Sequence, residues 1–369
     1  VVRQLVLNVS GPGEIEHHWW KALAPGDSFE TVKVCVGSVV GGVDQAMEQL
    51  TRYRRAIRRP NQDNQNLPVI FNDYMNCLWA SPTTEKEIPM IDAAAQVGCE
   101  YYVVDAGWYT DGDWWTDVGA WIPSQKRSPG GIRQVMDHIR SRGMIPGIWL
   151  EIEAMGVACP KLKDTDDSWF LMRHGRRVID RQRYHLDFRC PAVRDYATEV
   201  VRRVVEEYGV GYIKMDYNIN AGVGTDQGAS SAGEGLLEHQ RAYLAWLDRI
   251  LARYPDLIIE NCSSGGMRMD YAMLARCSIQ STSDQSDYLK YAIIAANAPS
   301  AVTPEQAAIW SYPLAQSSRE QIIFNVVNAG LLRVHQSGNM SALTPQNRAL
   351  VQEGLAYYKS IRRHIPQSV

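Results

Sequence analysis

From residue 67 onward, short strand-like runs alternate with helix-like runs, eight times over about 290 residues. Acidic residues gather where those strand-like runs end. These two observations predict an α/β fold, a (β/α)8 TIM barrel, because alternating β and α units build a parallel sheet. A doubly wound open sheet is the alternative. No Gly-x-Gly-x-x-Gly follows the first strand, which weakens it.

Residues 1–40 read as β structure. Val1–Val9 alternates loosely, Gly11-Pro12-Gly13 makes a turn, and Phe29–Val36 alternates well. They are expected to be the end of an N-terminal β domain whose beginning is missing. Gly41–Arg59 reads as a helix, inside a helical linker over 41–66, with Arg52–Arg59 as a solvated face. The catalytic barrel is expected over 67–365. Its strands are Pro68–Tyr74, Glu100–Trp108, Met144–Glu153, His185–Arg189, Val210–Asn218, Leu257–Cys262, Ser278–Asp284 and an eighth within Ile322–His335. Its helices are Thr83–Val97, opened by Ser81-Pro82-Thr83, then Ile132–Arg142, Val193–Tyr208, Gly235–Arg253 and the closing Pro345–Arg362.

The stretch Tyr212–Asn218 carries the chemistry. Strand alternation puts Tyr212, Lys214, Asp216 and Asn218 on one face. A run that is apolar at first and charged at its end suits a barrel strand, whose working residues sit at the C-terminal end. A carboxylate beside an ammonium stays ionised and can act as a nucleophile. The other strand ends add Asp73, Asp105, Glu151 with Glu153, Asp187, Glu260, and Asp284 with Asp287. So dense an acid ring suits glycoside chemistry or a metal. Metal-ligand spacings such as His-x-His or His-Glu-x-x-His are absent. Asp111, Asp113 and Asp117 suggest calcium, without the rest of an EF-hand loop. Their loop, Tyr109–Gly131, also holds Trp114, Trp115 and Trp121, and falls on the side where an active site would be.

Composition narrows the classes. The net charge is −3, with acids and bases mixed and no basic patch for nucleic acid. No apolar run approaches a membrane span. Seven scattered cysteines without a Cys-x-x-Cys pair point to a reducing compartment, hence the cytoplasm. Eleven tryptophans and eighteen tyrosines against five phenylalanines suit a sugar-binding cleft.

Five segments then occur in order: Val-Asp-Ala-Gly-Trp-Tyr (104–109), Trp-Leu-Glu-Ile-Glu (149–153), Lys-Met-Asp-Tyr-Asn (214–218), Asn-Cys-Ser-Ser-Gly-Gly-Met-Arg-Met-Asp (261–270) and Ser-Asp-Gln-Ser-Asp (283–287). With Trp121 and the Ser-Pro-Gly-Gly-Ile run at 128–132, they resemble glycoside hydrolase family 36, the retaining α-galactosidases and their relatives. The resemblance covers residues about 60–340. It implies Asp216 as nucleophile and Asp284 as general acid/base. It implies a sugar subsite of Asp105, Trp121, Arg181, Lys214, Asn218, Cys262 and Gly265, with Arg183 competing with Arg181 for its place. It implies an oligosaccharide or glycoside substrate, no metal and no cofactor. A homo-oligomer is implied for the full-length protein, along with a C-terminal β domain after the barrel.

Two positions depart from the family pattern. Ala106 stands where the family has the second aspartate of Asp-Asp-Gly-Trp, and Ala120 interrupts its Gly-Asp-Trp. In the family the aspartate pair grips the 4- and 6-hydroxyls of galactose. Losing one charge-assisted hydrogen bond costs roughly 1.5–3 kcal/mol. The resemblance therefore implies a glycone read differently at positions 4 to 6, arabinopyranose being one candidate, unless Asp111, Asp113 or Glu153 replaces the missing group. N-acetylgalactosamine, which differs at position 2, is another. Glycosyl transfer on the same barrel, a metal-dependent barrel hydrolase and a non-catalytic carbohydrate-binding protein are the competing functions.

Overall fold

The computed structural model describes residues 10–368. Eight parallel strands close into a barrel: β1 (Ile70–Asn72), β2 (Tyr101–Val104), β3 (Ile145–Leu150), β4 (Tyr212–Met215), β5 (Ile258–Asn261), β6 (Ile279–Ser281), β7 (Ala307–Ser311) and β8 (Arg333–Gln336). Each strand pairs with its sequence neighbours, and β8 closes on β1 through Ile70 opposite His335. The lower interior is filled by Ile70, Tyr101, Val103, Tyr212, Ile258, Ile279 and Ala308, so the barrel is a packed core and not a pore. Outside it run α1 (Val43–Ile57), α2 (Thr84–Val97), α3 (Ile132–Ser141), α4 (Pro191–Arg202), α5 (Ala232–Arg253), α6 (Tyr288–Asn297), α7 (Arg319–Ala329) and α8 (Pro345–Ile361). Thr83 opens α2 by accepting the Lys86 N–H, and Gly98 closes it in the left-handed conformation.

The predicted count of eight is right through two errors that cancel. The predicted strand His185–Arg189 is not part of the barrel. His185 instead ends a short strand, Arg183–His185, in an antiparallel sheet with Ala154–Gly156 and Ile179–Asp180. Its two-residue turn, Arg181-Gln182, has φ of 46° and 68°, the paired left-handed geometry of a tight hairpin. A barrel strand, Ala307–Ser311, falls where none was predicted. The eighth prediction straddles α7 and β8. Phe29–Val36 makes no strand among the described residues; Phe29 packs on Trp19, and the Glu30 carbonyl accepts from Arg241 of α5, not from a strand. Val32, Val34 and Val36 are exposed. The predicted strand Val1–Val9 lies outside the described residues.

The basic end of α1 is docked, not solvated. Arg55 and Arg58 pair with the buried Glu305 at 2.9 and 2.8 Å, and Arg54 donates to the carbonyls of Pro299 and Ser300. Below the barrel, Asp63 accepts from both terminal nitrogens of Arg333, at 2.7 and 3.0 Å, and from the Tyr101 hydroxyl at 2.9 Å. Arg333 is fully buried. Asp63→Ala is expected to cost about 3–5 kcal/mol, because it leaves a buried guanidinium without its counter-charge. A denaturant midpoint unchanged from wild type would contradict this reading.

Candidate active site

The structure sorts the strand-end carboxylates by their partners. Asp73 is buried against Glu87; burial, then the Glu87 charge, holds its carboxyl well above the usual range. Glu151 ion-pairs with the fully buried Arg183 and accepts the Asn218 N–H at 2.6 Å. Glu153 pairs with Arg268 and His239; burial raises its pKa, but Arg268 foremost overcomes this and brings it down to about 2. Asp187 is clamped by Arg189, Glu260 accepts from Tyr212 and Ser281, and Asp287 caps α6 through the N–H groups of Leu289 and Lys290. Three carboxylates are left to face a common space: Asp105, Asp216 and Asp284.

That space is a cavity of about 160 Å³ at the C-terminal mouth of the barrel. Asp105, after β2, supplies the floor with Lys214 of β4, whose Nζ donates to Asp105 Oδ2 at 2.8 Å. Asn72 Nδ2 donates to the same oxygen at 2.6 Å. Burial opposes the Lys214 charge, but Asp105 first, then Glu260 and Asp216, hold its pKa well above the usual lysine range. The direct partner of Lys214 is therefore Asp105, while Asp216 is one of the more distant charges acting on it. Asp216 is held by two donors, Trp149 Nε1 at 3.1 Å to Oδ2 and the Tyr217 N–H at 2.8 Å to Oδ1. The second donor is its own neighbour in the chain, which fixes the carboxylate plane at the strand end.

Asp284, just past β6, opens onto the cavity. The surrounding walls desolvate it. Lys214 opposes that effect, Asp216 and Asp105 add to it, and the carboxyl is pushed up to about 6. Two carboxyls in one cavity thus differ in environment, one held by donors and one short of them. That asymmetry separates a nucleophile from an acid. The loop behind them is tight. Gly265 has φ +80°, and a Cβ there would lie 2.5 Å from Ser283 Cα and 2.7 Å from the Asp284 nitrogen. Only glycine lets the loop after β5 press on the segment that carries Asp284.

Of the predicted subsite, Asp105, Lys214 and Asn218 line the cavity with Asp216 and Asp284. Cys262 is buried and sits behind the wall; burial pushes its thiol well up, so it stays neutral. Trp121 is also buried, packed on Trp149 with ring centroids 5.9 Å apart, and does not reach the cavity. Arg181 is exposed and lines a neighbouring depression instead. Its rival Arg183 is buried, 3.5 Å from the ring centre of Trp115. The aromatic walls are Tyr74, Trp114, Trp115 and Trp149. Trp149 precedes the strand-end glutamates and opposes Lys214 in register, a signal legible in Trp-Leu-Glu-Ile-Glu. Tyr74 carried no comparable sequence signal, and Ser264 carried only its place within the 261–270 segment.

Ala106 is part of the lining, and among the described residues no carboxylate replaces the missing one. Asp111 bonds Ser124, Asp113 bonds the Trp115 N–H and Thr116, and Asp117 bonds Thr110. Those separate bonds also leave the three aspartates without a shared cation position. Glu153, His185 and His239 offer closely spaced ligand atoms. Arg268, the Phe188 N–H, the Leu186 carbonyl and the Tyr217 hydroxyl already occupy them.

A profile of the Melibiase family matches residues 28–367. The α-galactosidase AgaA of Geobacillus stearothermophilus is 24% identical over 355 residues, covering 92% of this chain and 48% of that protein. The α-galactosidase Mel36A of Lactobacillus acidophilus is 28% identical over 258 residues, 68% of this chain and 35% of that protein. The chain thus spans half or less of the length of these relatives. The crystal structure of AgaA with stachyose has the same fold, with a TM-score of 0.77 at 21% identity over 86% of this chain and 45% of that one. Barrel, cavity and profile agree, and the chain belongs to the Melibiase family, with its likeness to the glycoside hydrolase family 36 enzymes lying in the barrel portion.

Proposed function

We propose that this chain is the catalytic barrel of a retaining, exo-acting glycosidase that removes terminal α-galactoside-like sugars. One observation carries the reading. Asp216, fixed by two donors, and Asp284, with its carboxyl raised to about 6, share one cavity with room for a single sugar ring. Protonated Asp284 gives its proton to the leaving oxygen while Asp216 attacks the anomeric carbon. Water then releases the sugar from the glycosyl-aspartate, with Asp284 acting as base. Asp105 and Lys214 take ring hydroxyls, and the aromatic walls cover its apolar faces.

Beside Asp105 the lining is apolar at Ala106 and aromatic at Tyr74 and Trp114. That wall favours a glycone with no hydroxymethyl arm, or one that does not rely on it for binding. Seven free cysteines support a cytoplasmic setting, and no helix of the described residues is long and apolar enough to cross a membrane. A homo-oligomer of the complete protein is part of the same proposal.

The test is a panel of aryl α-glycosides (galactose, N-acetylgalactosamine, glucose) and the aryl β-L-arabinopyranoside. The expected result is cleavage of the galactose-configured members, with the arabinopyranoside at least as good as the galactoside. Clear preference for the galactoside would remove the altered-glycone part. Binding without cleavage of any member would favour a carbohydrate-binding protein.

A further inference from the structure

Asp284 is the least tethered of the three carboxylates in the cavity. Asp105 and Asp216 each accept from two donors. The Asp284 carboxyl makes no hydrogen bond among the described residues, and Lys214, Asp216 and Asp105 act on it through charge alone. Where the acid stands is therefore set by its backbone, and that backbone is held from two sides. On one side the loop after β5 presses on Ser283 and the Asp284 nitrogen at Gly265. On the other stand two aromatic side chains from β7 and its exit. Trp310 Nε1 donates to the Ser283 carbonyl at 2.9 Å, and the Tyr312 hydroxyl donates to the Gln285 carbonyl at 3.0 Å. The two bonds bracket Asp284, one on the residue before it and one on the residue after.

We infer that Trp310 and Tyr312 are positioning residues for this reaction, and that they aim Asp284 at the leaving oxygen. The inference rests on the glycosidase reading above. Neither side chain lines the cavity, so both act through Asp284 and not on the sugar. The wall that carries the two donors is rigid. Residues two apart on a strand face one side, so Trp310 and Tyr312 follow Ala308 up the inner face of the barrel. Both are buried. Trp310 stacks on the His335 ring, with centroids 3.9 Å apart at 13°, and on the Tyr312 ring, at 5.9 Å and 17°. The Tyr312 N–H donates to Asn325 of α7 at 2.8 Å. The approach to the segment is tied to the same strand, since Thr282 Oγ1 donates to the Ala308 carbonyl at 2.7 Å. Such fixing matters because an acid misplaced by about 1 Å can lose on the order of 10²-fold in rate.

The test compares kcat/KM for the methyl and p-nitrophenyl glycosides of the galactose-configured sugar that wild type cleaves best. It uses wild type, Tyr312→Phe, Trp310→Phe and Asp284→Ala. Tyr312→Phe keeps the ring and removes the donor alone, which covers the case in which Trp310→Phe does not fold. The methyl glycoside needs a proton for its leaving group to depart, whereas the nitrophenol leaves without one. The expected result is a tenfold or larger fall in the methyl-to-aryl ratio for each folded aromatic variant. Loss of folded protein alone would lower both substrates equally and leave the ratio unmoved. In the Asp284→Ala background, Tyr312→Phe should leave the ratio where Asp284→Ala alone puts it. A ratio unchanged by the aromatic substitutions, with Asp284→Ala still lowering it, overturns this inference and leaves the glycosidase reading standing. Failure of wild type to cleave any galactose-configured glycoside overturns the reading itself, and this inference with it.

Discussion

Replacing Asp216 by alanine is expected to lower kcat by roughly 10⁴-fold or more, the scale seen when a covalent nucleophile is removed. Among the described residues Asp216 is partnered only by Trp149 and the Tyr217 N–H, so its loss leaves two donors facing the cavity, which water can satisfy. Folding should survive, and the sugar should still bind through Asp105 and Lys214. Measured side by side, turnover should vanish while the thermal midpoint stays close to wild type and still rises with added sugar. Residual activity within a hundredfold of wild type would assign the nucleophile elsewhere.

Removing Asp284 should have a different signature. The protonated acid assists departure of the leaving group, so Asp284→Ala should cost about 10²–10⁴-fold on an unactivated glycoside. It should cost far less on an aryl glycoside whose phenol leaves without a proton. The pH profile should change as well. Because the carboxyl is raised to about 6, the working acid is protonated below that pH and lost above it. Wild-type kcat/KM should therefore fall as pH rises through about 6, and Asp284→Ala should lack that limb. Equal losses on both substrate types, with the limb retained, would place the acid on another residue.

The sequence carried the barrel because alternation and strand-end polarity are local signals, and both survive in this chain. It misplaced His185 because a short alternating run such as His185–Arg189 reads the same beside an antiparallel hairpin as in a parallel barrel. What separates the two is the left-handed Arg181-Gln182 turn, for which the residues give no warning. Asp105, Lys214, Asp216 and Asn218 were legible because the ends of β2 and β4, with β3 between them, bring them to one cavity. Trp121 and Arg181 were not, since whether a loop residue points inward depends on packing far away in sequence. Trp121 is held back by the Trp108, Tyr109 and Trp149 stack, and Arg181 is turned outward by its hairpin. The carboxylates that face the cavity could be told from the others only once Arg183, Arg189 and Arg268 had been placed.

The measurement that bears most directly on the account is capture of the covalent intermediate. A fluorinated α-galactosyl fluoride carries a good leaving group and a fluorine that slows hydrolysis of the glycosyl-enzyme. Intact mass should rise by one fluorosugar, and proteolysis should place the label on the peptide containing Asp216. A label on another carboxylate, or turnover with inverted product and no label, would contradict the assignment.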